Sequence, residues 1–179
     1  YAAPSRAEHR GVIERFRRTC EENERLSVER IRFSVFTADH LKLKASLDDG
    51  SLLLRLCEGE LWNGVVRGEA RVAVSTEGVR YAGQVLVESA SLKAFCQQSV
   101  ALNGFMSGMA HATLTFGGDT GGVNRGKALA EIWVDPAGAE PRVISRNFLV
   151  KMGGERIRSL LHSDRLEYDR AAFRCGLSG

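Results

Sequence analysis

Alternation of apolar and polar residues dominates the first half of the chain and predicts a series of β-strands. Short turn sequences, among them Asp48-Asp49-Gly50 and Glu77-Gly78, separate the alternating segments as tight hairpin turns do. We therefore expect consecutive antiparallel strands, whose apolar positions are Ile31, Phe33, Val35; Leu41, Leu43, Ala45; Leu52, Leu54, Leu56; Ala70, Val72, Val74; and Val79, Tyr81, Val85, Val87.

Further strands are expected in the second half of the chain. Strand-like residues run from Ala112 to Phe116, from Lys127 to Val134 and from Val143 to Val150. Between the first two lies the glycine-rich segment from Gly117 to Gly126, which cannot form a packed element and is expected to be a loop.

Helical spacing replaces the alternation at three places. Ser5 and Glu8 form a capping-box pattern, which predicts a first helix that ends near Glu24. The apolar positions of the three helices are, in chain order, Val12, Ile13, Phe16 and Cys20; Leu92, Phe95, Cys96 and Val100; and Ile157, Leu160 and Leu161. The sequence therefore predicts an α+β fold, a twisted and mainly antiparallel sheet with an N-terminal, a central and a C-terminal helix.

The length and composition are those of one globular domain. The chain has 179 residues, of which 44% are hydrophobic and 26% charged, so fibrous and wholly disordered classes are excluded. We expect a single α+β domain over residues 1–179 with a basic C-terminal segment, residues 142–179. No apolar run is long enough to cross a bilayer, so a membrane is not among the expected partners.

The basic residues are unevenly distributed, although the net charge is only +3. Most of them are arginine, which binds phosphates and carboxylates with a planar guanidinium group. The C-terminal segment holds the candidates for binding a polyanion such as RNA: Arg142, Arg146, Arg156, Arg158 and Arg165. A solvated helix face is the alternative interpretation of the same residues.

The four cysteines, Cys20, Cys57, Cys96 and Cys175, are widely separated and contain no C-x-x-C pair, so no metal site is complete. Four free thiols of this kind suggest an intracellular reducing compartment, the cytoplasm or the mitochondrial matrix. Cys20, Cys57 and Cys96 are expected to be small buried hydrophobes. Cys175 lies beside Arg174 near the chain end, and is a redox or metal candidate.

Evidence for catalysis is poor. The four histidines do not have helical ligand spacing, and no G-x-S-x-G segment is present. We therefore predict no catalytic residues and no cofactor, and expect a protein that is not an enzyme. Phe105, Met106 and Met109 are candidates for binding an apolar client, because methionines adapt to varied surfaces, with core packing as the alternative role.

Two segments resemble, in order, the Hsp33 family of redox chaperones. Gly78-Val79-Arg80-Tyr81-Ala82-Gly83 resembles the G-x-R-Y-x-G strand of that family. Leu161-His162-Ser163-Asp164 and then Phe173-Arg174-Cys175 are similar to its L-x-H-E-E linker and to the F-x-C-x-C that opens its zinc module. The closing C-x-x-C is missing from this chain. The resemblance implies a substrate-binding domain that holds unfolded clients without a complete zinc switch.

The predicted function is therefore that of a non-enzymatic binding protein, an Hsp33-like chaperone domain whose partners are protein clients or a multi-subunit assembly. The alternative is an arginine-rich RNA-binding subunit of a ribonucleoprotein or ribosome-associated complex. A third interpretation is a small-ligand or lipid cavity in the sheet.

Overall fold

The computed structural model describes residues 26–33, 36–48, 50–76, 78–98, 102–119 and 126–178. The predicted first helix, with Cys20, lies outside these residues, and so does the middle of the predicted glycine loop. The elements are, in chain order, β1 (Leu26–Phe33), β2 (Phe36–Asp48), β3 (Ser51–Leu61), β4 (Gly64–Ser75), β5 (Gly78–Ser91), α1 (Leu92–Gln97), β6 (Met106–Ser107), β7 (Met109–Asp119), β8 (Lys127–Val134), β9 (Val143–Ser145), α2 (Arg146–Gly153), a 3-10 helix (Glu155–Leu160), β10 (Arg165–Glu167) and β11 (Ala172–Ser178).

Eight strands form the main sheet in the order β1-β2-β3-β4-β5-β7-β8-β11. Every pair of neighbours is antiparallel. Most neighbours in the sheet are also neighbours in sequence, as the repeated hairpin signals predict. The expectation of a mainly antiparallel sheet is therefore confirmed.

A small second sheet, with the order β10-β9-β6, packs with both α-helices at one end of the main sheet. Each α-helix begins at a serine that caps it. The hydroxyl of Ser91 accepts a hydrogen bond from the N–H of Ala94 at 3.1 Å, and the hydroxyl of Ser145 accepts one from the N–H of Phe148 at 3.2 Å. No helix in the described part of the chain is long and apolar enough to span a membrane.

Four elements differ from the sequence prediction. Strand β7 continues through Gly117 and Gly118 to Asp119, where the glycine-rich loop was expected to begin. The strand expected from Val143 to Val150 ends at Ser145, and a helix follows because Ser145 supplies a cap. The helix expected near Ile157 is a 3-10 helix, Glu155–Leu160. Strand β11 was not predicted, although Phe173 and Cys175 alternate with Arg174 and Gly176 in its sequence.

Candidate binding surface

Strand pairing places the apolar residues of the main sheet on one face. Leu47 pairs with Leu52, Leu52 with Val72, and Val72 with Tyr81. Alternate residues of a strand lie on the same face of a sheet. The row from Leu47 to Tyr81 therefore determines the face on which every other residue of these strands lies. The face, which we call the apolar face, carries Leu43, Ala45 and Leu47; Leu52, Leu54 and Leu56; Val66, Gly68, Ala70, Val72 and Val74; Val79, Tyr81, Gly83, Val85 and Val87; Ala110, Ala112, Leu114, Phe116 and Gly118; and Ala128, Ala130, Ile132 and Val134. None of these side chains is charged.

The opposite face, which we call the polar face, carries ion pairs between neighbouring strands. One row across β2 to β7 consists of Lys44, Arg55, Glu69, Gln84 and Thr115. Within it, the Nε atom of Arg55 lies 3.9 Å from Oε2 of Glu69. The two faces therefore differ in polarity, as is usual for an antiparallel sheet with one face packed on a core.

Two hydrophobic clusters cover one end of the apolar face. The first joins the small sheet and the helices to β7 and β8, with the buried residues Leu92, Cys96, Met106, Ala110, Val134 and Ile144. The second contains Val66, Val87 and Ala90, with Trp62 packed against them. The indole N–H of Trp62 donates to Oε1 of Gln98 at 2.8 Å, which holds the ring over this end of the sheet.

The other end of the apolar face is open. Leu47 and Val74 expose 78% and 71% of their surface, and Leu52, Leu54 and Leu114 are also exposed. These five residues, which we call the open apolar region, lie on the same face as the half-buried Val72 and Tyr81. Clustered apolar side chains in water are characteristic of interaction sites, whereas single ones are ordinary.

Sequence reasoning identified Leu52, Leu54 and Val74 as strand residues but did not identify them as a surface. The signal in the sequence was weak, since Leu53 separates Leu52 from Leu54 and Ala73 precedes Val74, so polar residues do not alternate regularly with these positions. Which of these leucines would be covered could not be inferred, because the covering elements are distant in sequence.

The structure places the three client-binding candidates away from the open apolar region. Met106 is buried in the first cluster, and Phe105 packs against that cluster with its ring centroid 5.5 Å from that of Phe148. Met109 begins β7 and is half-buried. Their environment is the one expected for core packing, the alternative role.

The candidate polyanion-binding arginines do not form one free surface. Arg142 donates to the carbonyl oxygen of Pro136, and the guanidinium of Arg146 lies 3.7 Å from Asp164 and donates to the carbonyl oxygen of Arg158. Arg158 in turn lies 2.8 Å from Glu155. Arg156 and Arg165 are exposed.

The cysteines are not all thiols. Cys57 is disulfide-bonded, whereas Cys96 and Cys175 are free. The expectation of four free thiols is therefore wrong for Cys57, and a reducing compartment stays a prediction that this bond does not support. Burial raises the pKa of the Cys96 thiol.

Cys175 is exposed, as predicted for a cysteine outside the core. It pairs with Ala130 and therefore lies on the apolar face. Arg174, its neighbour, lies on the other face with Nε 3.5 Å from Oε1 of Glu131. The expected placement of Arg174 beside the thiol is wrong, because adjacent strand residues point to opposite sides.

A polar cavity of about 350 Å³ lies between the connection from β8 to β9 and strand β10. Its lining includes Glu140, Arg142 and Tyr168. The Tyr168 hydroxyl donates to the carbonyl oxygen of Ser107 at 2.7 Å. Burial raises the pKa of Tyr168, an effect that the charge of Arg142 partly offsets. These contacts join the residue after β10 to β6 within the small sheet and supply no nucleophile with an adjacent base.

Among the described residues, no group of three or more histidine, cysteine, aspartate or glutamate side chains could hold a metal ion. Two described histidines each lie near one carboxylate: Nδ1 of His40 is 3.3 Å from Oε2 of Glu60, and Nε2 of His111 is 3.5 Å from Oδ2 of Asp135. His111 also stacks on Trp133, with centroids 5.9 Å apart, so the pair joins β7 to the end of β8. Comparison of the chain with protein-family models, with curated proteins and with solved structures found no match.

Proposed function

We propose that this chain is a non-enzymatic binding protein that holds unfolded polypeptide segments on its open apolar region, in the manner of an Hsp33-type chaperone domain. The observation that carries the proposal is the continuity of the apolar face. The same rows of side chains that form the covered core continue into Leu47, Leu52 and Leu54, which solvent reaches.

Charge and size favour an unfolded polypeptide as the occupant. The apolar face has no charged group, so it offers nothing to a phosphate backbone. It extends over six neighbouring strands, about 24 Å at the usual strand spacing, which is wider than a single small molecule covers. An unfolded segment presents several apolar side chains at once, and can bury many of them together.

The test compares two lysine substitutions at adjacent positions of β7. Leu114 lies on the apolar face and Thr115 on the polar face, and both are exposed. Leu114→Lys should reduce suppression of the aggregation of a chemically denatured test protein several-fold, because it places a charge where the client binds. Thr115→Lys should leave this suppression unchanged.

Light scattering gives the aggregation rate, and circular dichroism confirms that both variants are folded. Equal suppression by the wild-type and Leu114→Lys chains would overturn the proposal. The alternative RNA-binding function predicts a different result, retention of RNA that falls steeply with salt and falls further in an Arg156→Glu, Arg165→Glu chain. Displacement of the client by a long-chain fatty acid would indicate a small apolar ligand on the same face.

A further inference from the structure

Strand β11 forms one edge of the main sheet, since β8 is its only neighbour among the described strands. The N–H of Val134 donates to the carbonyl oxygen of Ala171 at 2.9 Å, which continues the pairing of β8 with β11 by one residue. In an antiparallel pair, the backbone groups of successive residues point alternately toward the partner strand and away from it. The N–H and C=O groups of Ala172 and Gly176 therefore point away from β8.

The outer side of β11 is accessible to a further strand. Ala172, Cys175 and Gly176 are exposed, and a Cβ atom added to Gly176 would meet nothing within 4 Å. Backbone donors and acceptors that face outward from a sheet edge are a template for pairing with a strand of another chain.

The two edges of the described sheet differ in charge. Strand β1, at the other edge, carries Glu29, Arg30 and Arg32 among its eight residues. Charged side chains on an edge strand oppose pairing with other chains. The seven residues of β11 include one charged side chain, that of Arg174, whose Nε lies 3.5 Å from Oε1 of Glu131. Strand β11 is therefore the edge that is better suited to pairing.

The sequence of β11 suits pairing with a second copy of itself. In an antiparallel pair related by a two-fold axis, the residue on the axis lies opposite its own copy. An axis at Cys175, the central residue of β11, gives all seven residues a partner. An axis at Arg174 would instead place two like charges directly opposite each other, which is destabilising. An axis at Gly176 would leave Ala172 unpaired at the end of the strand.

We infer that β11 is a dimer interface, at which two copies of this chain pair their β11 strands antiparallel with the two-fold axis at Cys175. An axis perpendicular to the sheet keeps the apolar faces of both copies on the same side, so the two main sheets become one. The backbone groups of Cys175 point toward β8, so the two copies of Cys175 form a non-hydrogen-bonded pair with Cα atoms about 4.5 Å apart. Both thiols stay reduced, and the dimer does not depend on the client binding proposed for the apolar face.

The first experiment measures dimerisation of the full chain by sedimentation equilibrium at micromolar concentration, where we expect a dimer. Gly176→Pro removes an outward N–H and leaves the groups that bond to β8, so it should raise the dissociation constant about tenfold or more. Gly176→Ala, the matched control, keeps the N–H and should change this constant by no more than about twofold. Circular dichroism confirms that both variants are folded.

Three results of this experiment would overturn the inference. They are a monomeric wild-type chain, equal dissociation constants for the two variants, and assemblies larger than a dimer, which head-to-tail pairing of β11 with β1 would give. A dimer that is dissociated by Leu114→Lys but not by Gly176→Pro would also overturn it, because the contact would then lie on the open apolar region.

The second experiment tests the position of the axis without a change in β11. Diamide oxidises two adjacent thiols to a disulfide and is itself reduced to the hydrazine. Treatment of the wild-type dimer should link Cys175 to its copy, because a Cα separation of about 4.5 Å lies within the range of disulfides. Cys175→Ser should abolish this link, detected by peptide mapping, and retain the non-covalent dimer. A wild-type dimer with no link at Cys175 would overturn the proposed axis.

Discussion

Gly83 lies beneath the ring of Phe116 on the apolar face, and the two residues pair directly between β5 and β7. A Cβ atom at Gly83 would come within 2.5 Å of Cζ of Phe116 and within 2.7 Å of the carbonyl oxygen of Glu69. The glycine is therefore required by close packing between a ring and a backbone. At Gly176 in β11 an added Cβ would meet nothing within 4 Å.

These two glycines give a matched pair of substitutions. Gly83→Ala should lower the free energy of unfolding by about 1–3 kcal/mol, since the ring and the backbone must both move. Gly176→Ala should change the same quantity by no more than about 0.5 kcal/mol. Urea unfolding followed by tryptophan fluorescence measures both, and equal losses would contradict the close packing at Gly83.

Ionisation of Tyr168 makes the stability of the fold depend on pH in the alkaline range. Its hydroxyl donates to the carbonyl oxygen of Ser107, and burial raises the pKa of Tyr168. The unfolded chain loses this proton near pH 10, whereas the folded chain retains it. The contribution of the protonated Tyr168 hydroxyl to stability is therefore complete below about pH 10, and it is lost as the pH rises through the pKa of Tyr168 in the folded chain.

Tyr168→Phe should consequently cost about 1 kcal/mol of stability at pH 7, because the carbonyl oxygen of Ser107 loses a donor. The difference between the variant and the wild-type chain should narrow above pH 10, since phenylalanine has no proton to lose. Denaturant titrations at pH 7 and at about pH 11 measure this difference in the free energy of unfolding. A difference that stays constant would show that the hydroxyl is not protected in the folded chain.

At the scale of elements, local pattern predicted the strands well and the second half of the chain less well. Leu52, Leu54 and Leu56 recur at every second position, which predicts β3 even though Leu53 interrupts the polar positions between them. The run from Val143 to Val150 is ambiguous, because a short apolar run suits a strand or a helix equally. Ser145 decides between them by capping α2, and that contact exists only once the helix has formed.

The cap of α2 can be tested on its own. Ser145→Ala should lower the free energy of unfolding by about 1 kcal/mol, because the N–H of Phe148 loses its acceptor. Ser145→Asp should retain most of that stability. Ser159→Ala is the control, since the exposed Ser159 hydroxyl donates at 3.4 Å to the carbonyl oxygen of Arg156 and caps no helix. Equal effects at Ser145 and Ser159 would contradict the capping role.

At the scale of the whole molecule, the two faces of the main sheet differ in polarity, and the proposed function belongs to the apolar face. The apolar face is closed at one end by the small sheet and open at the other. The open apolar region could not be located from sequence, because the described elements that pack on the apolar face, among them α1, α2 and Trp62, are distant in sequence from the leucines they leave open. The segment from Gly78 to Gly83, which resembles the Hsp33 family, lies in β5 inside the sheet, and kinship with that family stays a prediction.

The pairing of β8 with β11 determines the order in which the chain can fold. Strands β1 to β5 join their neighbours through short connections, so each hairpin can form soon after it is synthesised. Strand β11 pairs with β8 across residues 135–171, the segment that contains β9, α2 and β10. The last strand must therefore close a long loop, and its docking is expected to be the slow step of refolding. Until it docks, the backbone of β8 remains an unprotected sheet edge, the point at which a nascent chain is most exposed to aggregation.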